Sequence, residues 1–135
     1  MAKVAIKTKK ITKKVKVKKI KLPIARLFFR AEFNNSILTL TDLEGKVIAW
    51  SSAGKSGFKG SKKATPFAAQ KAVEDVLEKL KTYETLSVHL VIKGVGMGRD
   101  AFLRAMQASG LQIESIKDLT GFPFGGARAK KRRRV

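Results

Sequence analysis

Apolar and polar residues alternate from Ile24 to Phe33 (IARLFFRAEF). Leu27, Phe29, Ala31 and Phe33 fall on one side, and Arg26, Phe28, Arg30 and Glu32 on the other. That period of two predicts a half-buried strand. Asn34-Asn35 follows, a pair that tolerates left-handed turn geometry, so Ser36 to Thr41 (SILTLT) is expected to return antiparallel. Asp42-Leu43-Glu44-Gly45 makes a second turn, and Lys46 to Ser51 (KVIAWS) a third strand. The period then changes. Ala69, Ala72, Val73, Val76, Leu77 and Leu80 recur at spacings of three and four, with Lys71, Glu74, Asp75, Glu78 and Lys79 facing out; Thr65 is placed to cap this helix and Pro66 to open it.

Leu86 to Ile92 (LSVHLVI) is nearly all apolar and follows a helix, which predicts an inner strand paired parallel. A second helix is expected from about Arg99, carrying Phe102, Leu103 and Met106 and ending at Gly110, before a last strand over Gln112 to Asp118. Strand, strand, strand, helix, strand, helix, strand implies an α/β domain with a mixed five-stranded sheet covered by helices.

Charge adds a second layer of organisation. The 135 residues carry 30 Lys and Arg against 10 Asp and Glu, a net charge of +20. Residues 1–21 hold ten lysines and residues 125–135 hold six basic residues, with no acid in either, so the remaining +4 belongs to residues 22–124. This divides the chain into a Lys-rich arm (1–21), a globular α/β domain (22–124) and a basic tail (125–135). Such ends repel themselves and require a polyanion. Nucleic acid is the expected partner, because Lys and Arg release its condensed counterions. An anionic membrane is the rival, but KKVKVKKIKL alternates with period two and would scatter its apolar side chains as a helix. The chain has no cysteine, one histidine, no apolar run long enough for a membrane span and no signal-peptide pattern; the expectation is a soluble, cytoplasmic protein.

Gly54-Lys55-Ser56 resembles the close of a nucleotide-binding loop. The glycine such a loop needs five positions earlier is Ala49, and helical periodicity starts only at Thr65. Gly94, Gly96 and Gly98 likewise miss the i, i+2, i+5 spacing of a dinucleotide fingerprint. Both glycine-basic loops follow a strand and precede a helix, so both are expected on one rim of the sheet. There Gly lets backbone N–H groups approach phosphate, while Ser and Lys donate. Phe58 reads either as a base-stacking ring or as an anchor within the domain. His89 has no partner fixed by sequence. Asp42, Glu44, Asp100, Glu114 and Asp118 sit at turns and strand ends, with a divalent-metal nuclease as the alternative function. A free-standing nucleic-acid chaperone is another. No cofactor or small-molecule substrate is expected.

The stretches PIARLFFRAEFNNSILTLTDLEGKVIAWSSAGKSGFKGSKKATPFAAQ, IKGVGMGRDAFLRAMQASGLQIESIKDLT and KKRRRV resemble the universal small-subunit ribosomal protein numbered eleven, in its bacterial form, over residues 23–135. The resemblance implies a three-layer, ribonuclease-H-like core without catalysis, a structural constituent of the small-subunit platform that bridges ribosomal RNA helices. It further implies ribosomal proteins seven and eighteen as neighbours and a messenger RNA path nearby. RNA contacts would fall to the matching segments: Asn34 and Asn35; Lys55, Ser56, Gly57, Phe58, Lys59, Gly60, Ser61, Lys62 and Lys63; Gly96, Gly98 and Arg99; and Arg128, Lys130, Lys131, Arg132, Arg133 and Arg134. No metal ligand or catalytic residue is implied. From Thr120 to Lys131 the usual His-Asn-Gly turn and double proline are absent, so the path of the tail does not carry over.

Overall fold

A computed structural model describes residues 22–134. The Lys-rich arm and Val135 lie outside the described residues. The elements run β1 (Ile24–Ala31), β2 (Ser36–Thr41), β3 (Val47–Ser52), a 3-10 turn (Gly60–Ala64), α1 (Pro66–Thr82), β4 (Ser87–Lys93), α2 (Gly98–Ala108) and β5 (Gln112–Asp118). The sheet has the order β3-β2-β1-β4-β5, with β1 and β2 antiparallel, β2 and β3 antiparallel, and β4 parallel to both β1 and β5. The mixed five-stranded sheet, the α/β class and the parallel entry of β4 are as the periodicity predicts.

One expectation changes. β1 ends at Ala31, because Glu32 N–H turns to the Asn35 carbonyl (2.8 Å) and the Asn35 side chain accepts from Ser36 N–H (3.0 Å). Phe33, expected among the buried residues, therefore stands in the turn with 80% of its surface exposed. Among the described residues both helices lie on one face of the sheet. Leu27 and Phe29 of β1, Leu38 and Leu40 of β2, and Leu90 and Ile92 of β4 join Ala69, Val73, Val76 and Leu80 of α1 and Phe102 and Met106 of α2 in one core. Two layers, helices and sheet, make up the described residues. The opposite face, with Arg26, Phe28 and Arg30, has no cover there.

Local chemistry sets the helix ends. Thr65 Oγ1 accepts from Ala68 N–H (3.3 Å) and Pro66 occupies the first position of α1, where its missing N–H costs nothing. The start of α2 is fixed by packing instead. Gly98 lies so close to its neighbours that a Cβ there would stand 2.8 Å from Ser36 Oγ and 2.9 Å from the Ala69 Cβ. The register of β4 and β5 shifts between Val88 and His89, which leaves Glu114 as the extra residue of the edge strand.

Candidate nucleic-acid interface

Strand directions gather the expected contact segments at one end of the sheet. Ala31 pairs with Ser36, Ile37 with Ser52, Arg30 with Lys93 and Ile92 with Asp118. Consequently the Asn34–Asn35 turn, the 53–65 loop, the 94–97 loop and the chain after β5 all leave the same rim. The turn holding Asp42 and Glu44 lies at the other end, roughly 20 Å away over the six residues of β2. Asp42 and Glu44 therefore do not meet Asp118, and among the described residues no three His, Asp or Glu side chains gather as a metal site.

Within the 53–65 loop, backbone and side chains have separate tasks. Lys55 N–H donates to Ser52 Oγ (3.2 Å), Ser56 N–H to the Ser52 carbonyl (3.0 Å), Gly57 N–H to that of Gly54 (3.3 Å) and Phe58 N–H to that of Ala53 (3.2 Å). Four successive amides are thus spent inside the loop, whereas a polyphosphate cradle needs them free. Backbone approach to phosphate, expected from Gly57, is replaced by a φ of +92° that closes this turn. Ser56 also faces inward: its hydroxyl reaches the Ser52 carbonyl (3.2 Å) and the Asp75 carboxylate (3.0 Å), which Ser51 also holds at 3.0 Å. Phe58, half-buried, meets Phe67 of α1 edge to face at 5.9 Å, so it acts as the loop's anchor.

The cations separate in the same way. Lys55 Nζ donates to the Trp50 carbonyl (3.2 Å) and stands 4.6 Å from the Trp50 ring centre; Lys79 Nζ reaches the same carbonyl at 3.3 Å. Partial burial and the adjacent Lys55 ammonium hold Lys79 below the ordinary lysine pKa. Lys59, Lys62 and Lys63 lie on the loop's outer turn with Gly60 and Ser61, and none of the three forms an ion pair among the described residues. They are rim cations open to a phosphate.

The 94–97 loop is shaped for packing. Gly94 has a φ of +97° and a Cβ there would come 2.1 Å from the Ala31 carbonyl oxygen; one on Gly96 would come 2.7 Å from that of Glu32. Gly96 and Gly98 are buried, and their glycine identity serves close contact with β1, β2 and α1. Arg99 serves the tail. Its guanidinium donates to the Gly94 carbonyl (2.6 Å) and Thr120 Oγ1 (3.0 Å), and pairs with Asp118. Gly94 N–H donates to Thr120 Oγ1 as well (3.1 Å). This knot fixes where the chain departs. Residues 121–134, including Arg128, Lys130, Lys131 and Arg132 to Arg134, are exposed throughout.

Asp118 records the knot in its acidity. The Thr120 hydroxyl (2.6 Å), Arg99 and the Thr120 N–H (2.9 Å) all favour its charged form and lower its pKa from 3.8 to about 2. A lowered folded-state value means that the tail anchor is complete above about pH 4 and is lost as pH falls towards 2. Thr120→Val is expected to raise the Asp118 pKa towards its ordinary value, read by an NMR titration of the carboxyl carbon. An unchanged titration would assign the shift elsewhere.

Sequence reasoning passed over the open face of the sheet. Trp50, Phe28, Arg26 and Lys117 look outward from β3, β1 and β5, and the available signal was an aromatic residue at an outward position of an alternating strand. No helix among the described residues is long and apolar enough to cross a membrane.

The Ribosomal protein S11 family matches residues 24–134. The chain is also 48% identical over 128 residues to the small ribosomal subunit protein uS11c of Cyanidium caldarium, covering 95% of this chain and 97% of that protein. The chain therefore belongs to the ribosomal protein S11 family, a family of structural proteins and not of enzymes.

Proposed function

We propose that the protein is a structural constituent of the small ribosomal subunit that binds and bridges ribosomal RNA helices through the rim. The observation that carries this reading is the convergence of the 53–65 loop, the Asn34–Asn35 turn and the Arg-rich tail on one end of the sheet, with Lys59, Lys62 and Lys63 unpaired there. Cations spread over several segments of one rim bridge phosphates from more than one RNA strand, which a single loop cannot do. Its place is the subunit platform in a cytoplasmic ribosome, beside ribosomal proteins seven and eighteen and the messenger RNA exit region. The division into arm (1–21), domain (22–124) and tail (125–135) belongs to the same proposal, with both ends acting as phosphate clamps.

The test is salt dependence. A variant with Lys59, Lys62 and Lys63 all changed to alanine is expected to bind a small-subunit ribosomal RNA fragment more weakly. Its plot of log affinity against log salt should be shallower by about two units, since each lost contact removes roughly 0.7 to 0.9. An unchanged slope with unchanged affinity would place RNA elsewhere on the molecule.

A further inference from the structure

The open face of the sheet is not an ordinary solvated surface. One row of residues crosses it: Trp50 pairs with Thr39, Thr39 with Phe28, Phe28 with Val91 and Val91 with Lys117. Directly paired residues point to the same side, and Leu27 and Phe29 on either side of Phe28 enter the core, so the whole row faces away from the helices. Trp50 is 51% exposed and Phe28 37%. Sheets that leave one face in water normally place polar residues there. Here two aromatic rings stand two strands apart, about 10 Å at ordinary strand spacing.

The charges around this row are mostly positive. Arg26 and Arg30 flank Phe28 along β1, Lys93 lies beside Arg30 and Lys117 closes the row. Two acids share this face: Glu32 pairs with Arg30, and Glu114 lies 3.3 Å from His89. Between β1, β4 and β5 lies a shallow groove of about 340 Å³, lined by Arg26, Phe28, His89, Val91, Ser115 and Lys117. At the other end of the row, Lys55 links the 53–65 loop to the Trp50 ring. Lys55 thus brings one rim cation to the edge of this face.

We propose that this face binds a single-stranded segment of RNA, with bases stacked on Trp50 and Phe28 and the phosphates held by Arg26 and Lys117. The inference rests on the proposed RNA-binding function and adds a second, sheet-borne site to the rim. Stacking suits the rings because every base presents a π-face, and the bordering guanidinium and ammonium groups match the backbone. An acidic protein segment would satisfy the cations but would leave both rings without flat partners.

Trp50 is the single tryptophan of the chain, so its fluorescence reports on this face and on the Lys55 contact at its edge, and the Phe28 and Arg26 variants, which leave Lys55 in place, separate the two. The experiment titrates the full chain with a fluorescein-labelled ribosomal RNA fragment and with a labelled mixed-sequence single-stranded oligoribonucleotide. Binding is read by anisotropy, and Trp50 by emission and by protection from acrylamide. The expected result is quenched, protected Trp50 on binding the single strand. Phe28→Ala is expected to weaken that binding about 5- to 150-fold, the range for loss of one stacked base. Arg26→Ala, a surface change that spares both rings, should weaken it while leaving the melting temperature unchanged. If the ribosomal fragment binds but Trp50 stays bright and accessible with either RNA, the sheet face is not an RNA site and the rim reading stands. If neither RNA raises the anisotropy, the proposed function falls and this inference with it.

Discussion

Phe102→Ala is expected to destabilise the domain by about 3–5 kcal/mol, the range for emptying a fully buried phenylalanine site. Phe102 is 0% exposed, and its ring stacks on Phe29 with centroids 4.4 Å apart and planes 6° from parallel. The substitution removes that pair and leaves a hole at the contact between α2 and the centre of the sheet. Neighbouring Gly98 already touches Ser36 and Ala69, so the helix cannot slide inwards to fill it. A domain of this size has about 5–15 kcal/mol in total, which makes a fall in melting temperature of about 15 °C or more the outcome to look for by circular dichroism. Phe122→Ala is the matched control: that ring is 83% exposed, and its loss should change stability by no more than about 0.5 kcal/mol. A Phe102 variant as stable as the control would show that α2 is not needed to hold the core.

Deleting residues 128–135 is expected to act on RNA and leave the fold alone. The segment contributes six cations, and residues 121–134 are exposed, so no core contact is lost. If all six meet phosphate, the salt slope falls by about 4 to 5 units and affinity at moderate salt drops by two orders of magnitude or more. Arginine identity matters in addition to charge, because the planar guanidinium grips a phosphate with two parallel hydrogen bonds and the lysine ammonium does not. Replacing Arg132, Arg133 and Arg134 by lysine should therefore weaken retention on small subunits through a high-salt wash. Equal retention would reduce the tail to its charge. A melting temperature that falls on deletion would instead move the boundary of the folded domain beyond residue 127.

The segments legible beforehand are those whose cause is local. Alternation in β1 and β2, the three-four spacing of α1, the Thr65-Pro66 start and the span of β5 each depend on residues a few positions apart, and each is present as expected. The strand-loop-helix order also placed both glycine-basic loops on one rim, since parallel strands must end together. Net charge and its concentration at the two ends pointed to a polyanion without any structure, because charge is additive along a chain.

What depended on distant partners was not legible. Gly57 looked like a phosphate donor until four loop amides proved to be bonded within the loop, and Ser56 until Asp75 of α1 came within 3.0 Å. Phe58 could be settled as an anchor only by finding Phe67 beside it. Gly96, Gly98 and Arg99 form a motif in sequence yet divide in space, the glycines to close packing and the arginine to Asp118 and Thr120 at the root of the tail. Phe33 left the core because one backbone hydrogen bond, from Glu32 to Asn35, turned the chain two residues earlier than alternation alone would. The open face follows from the helices sharing one side of the sheet. Period-two alternation states that a strand has two different faces, but which of them stays bare is decided by where the helices pack.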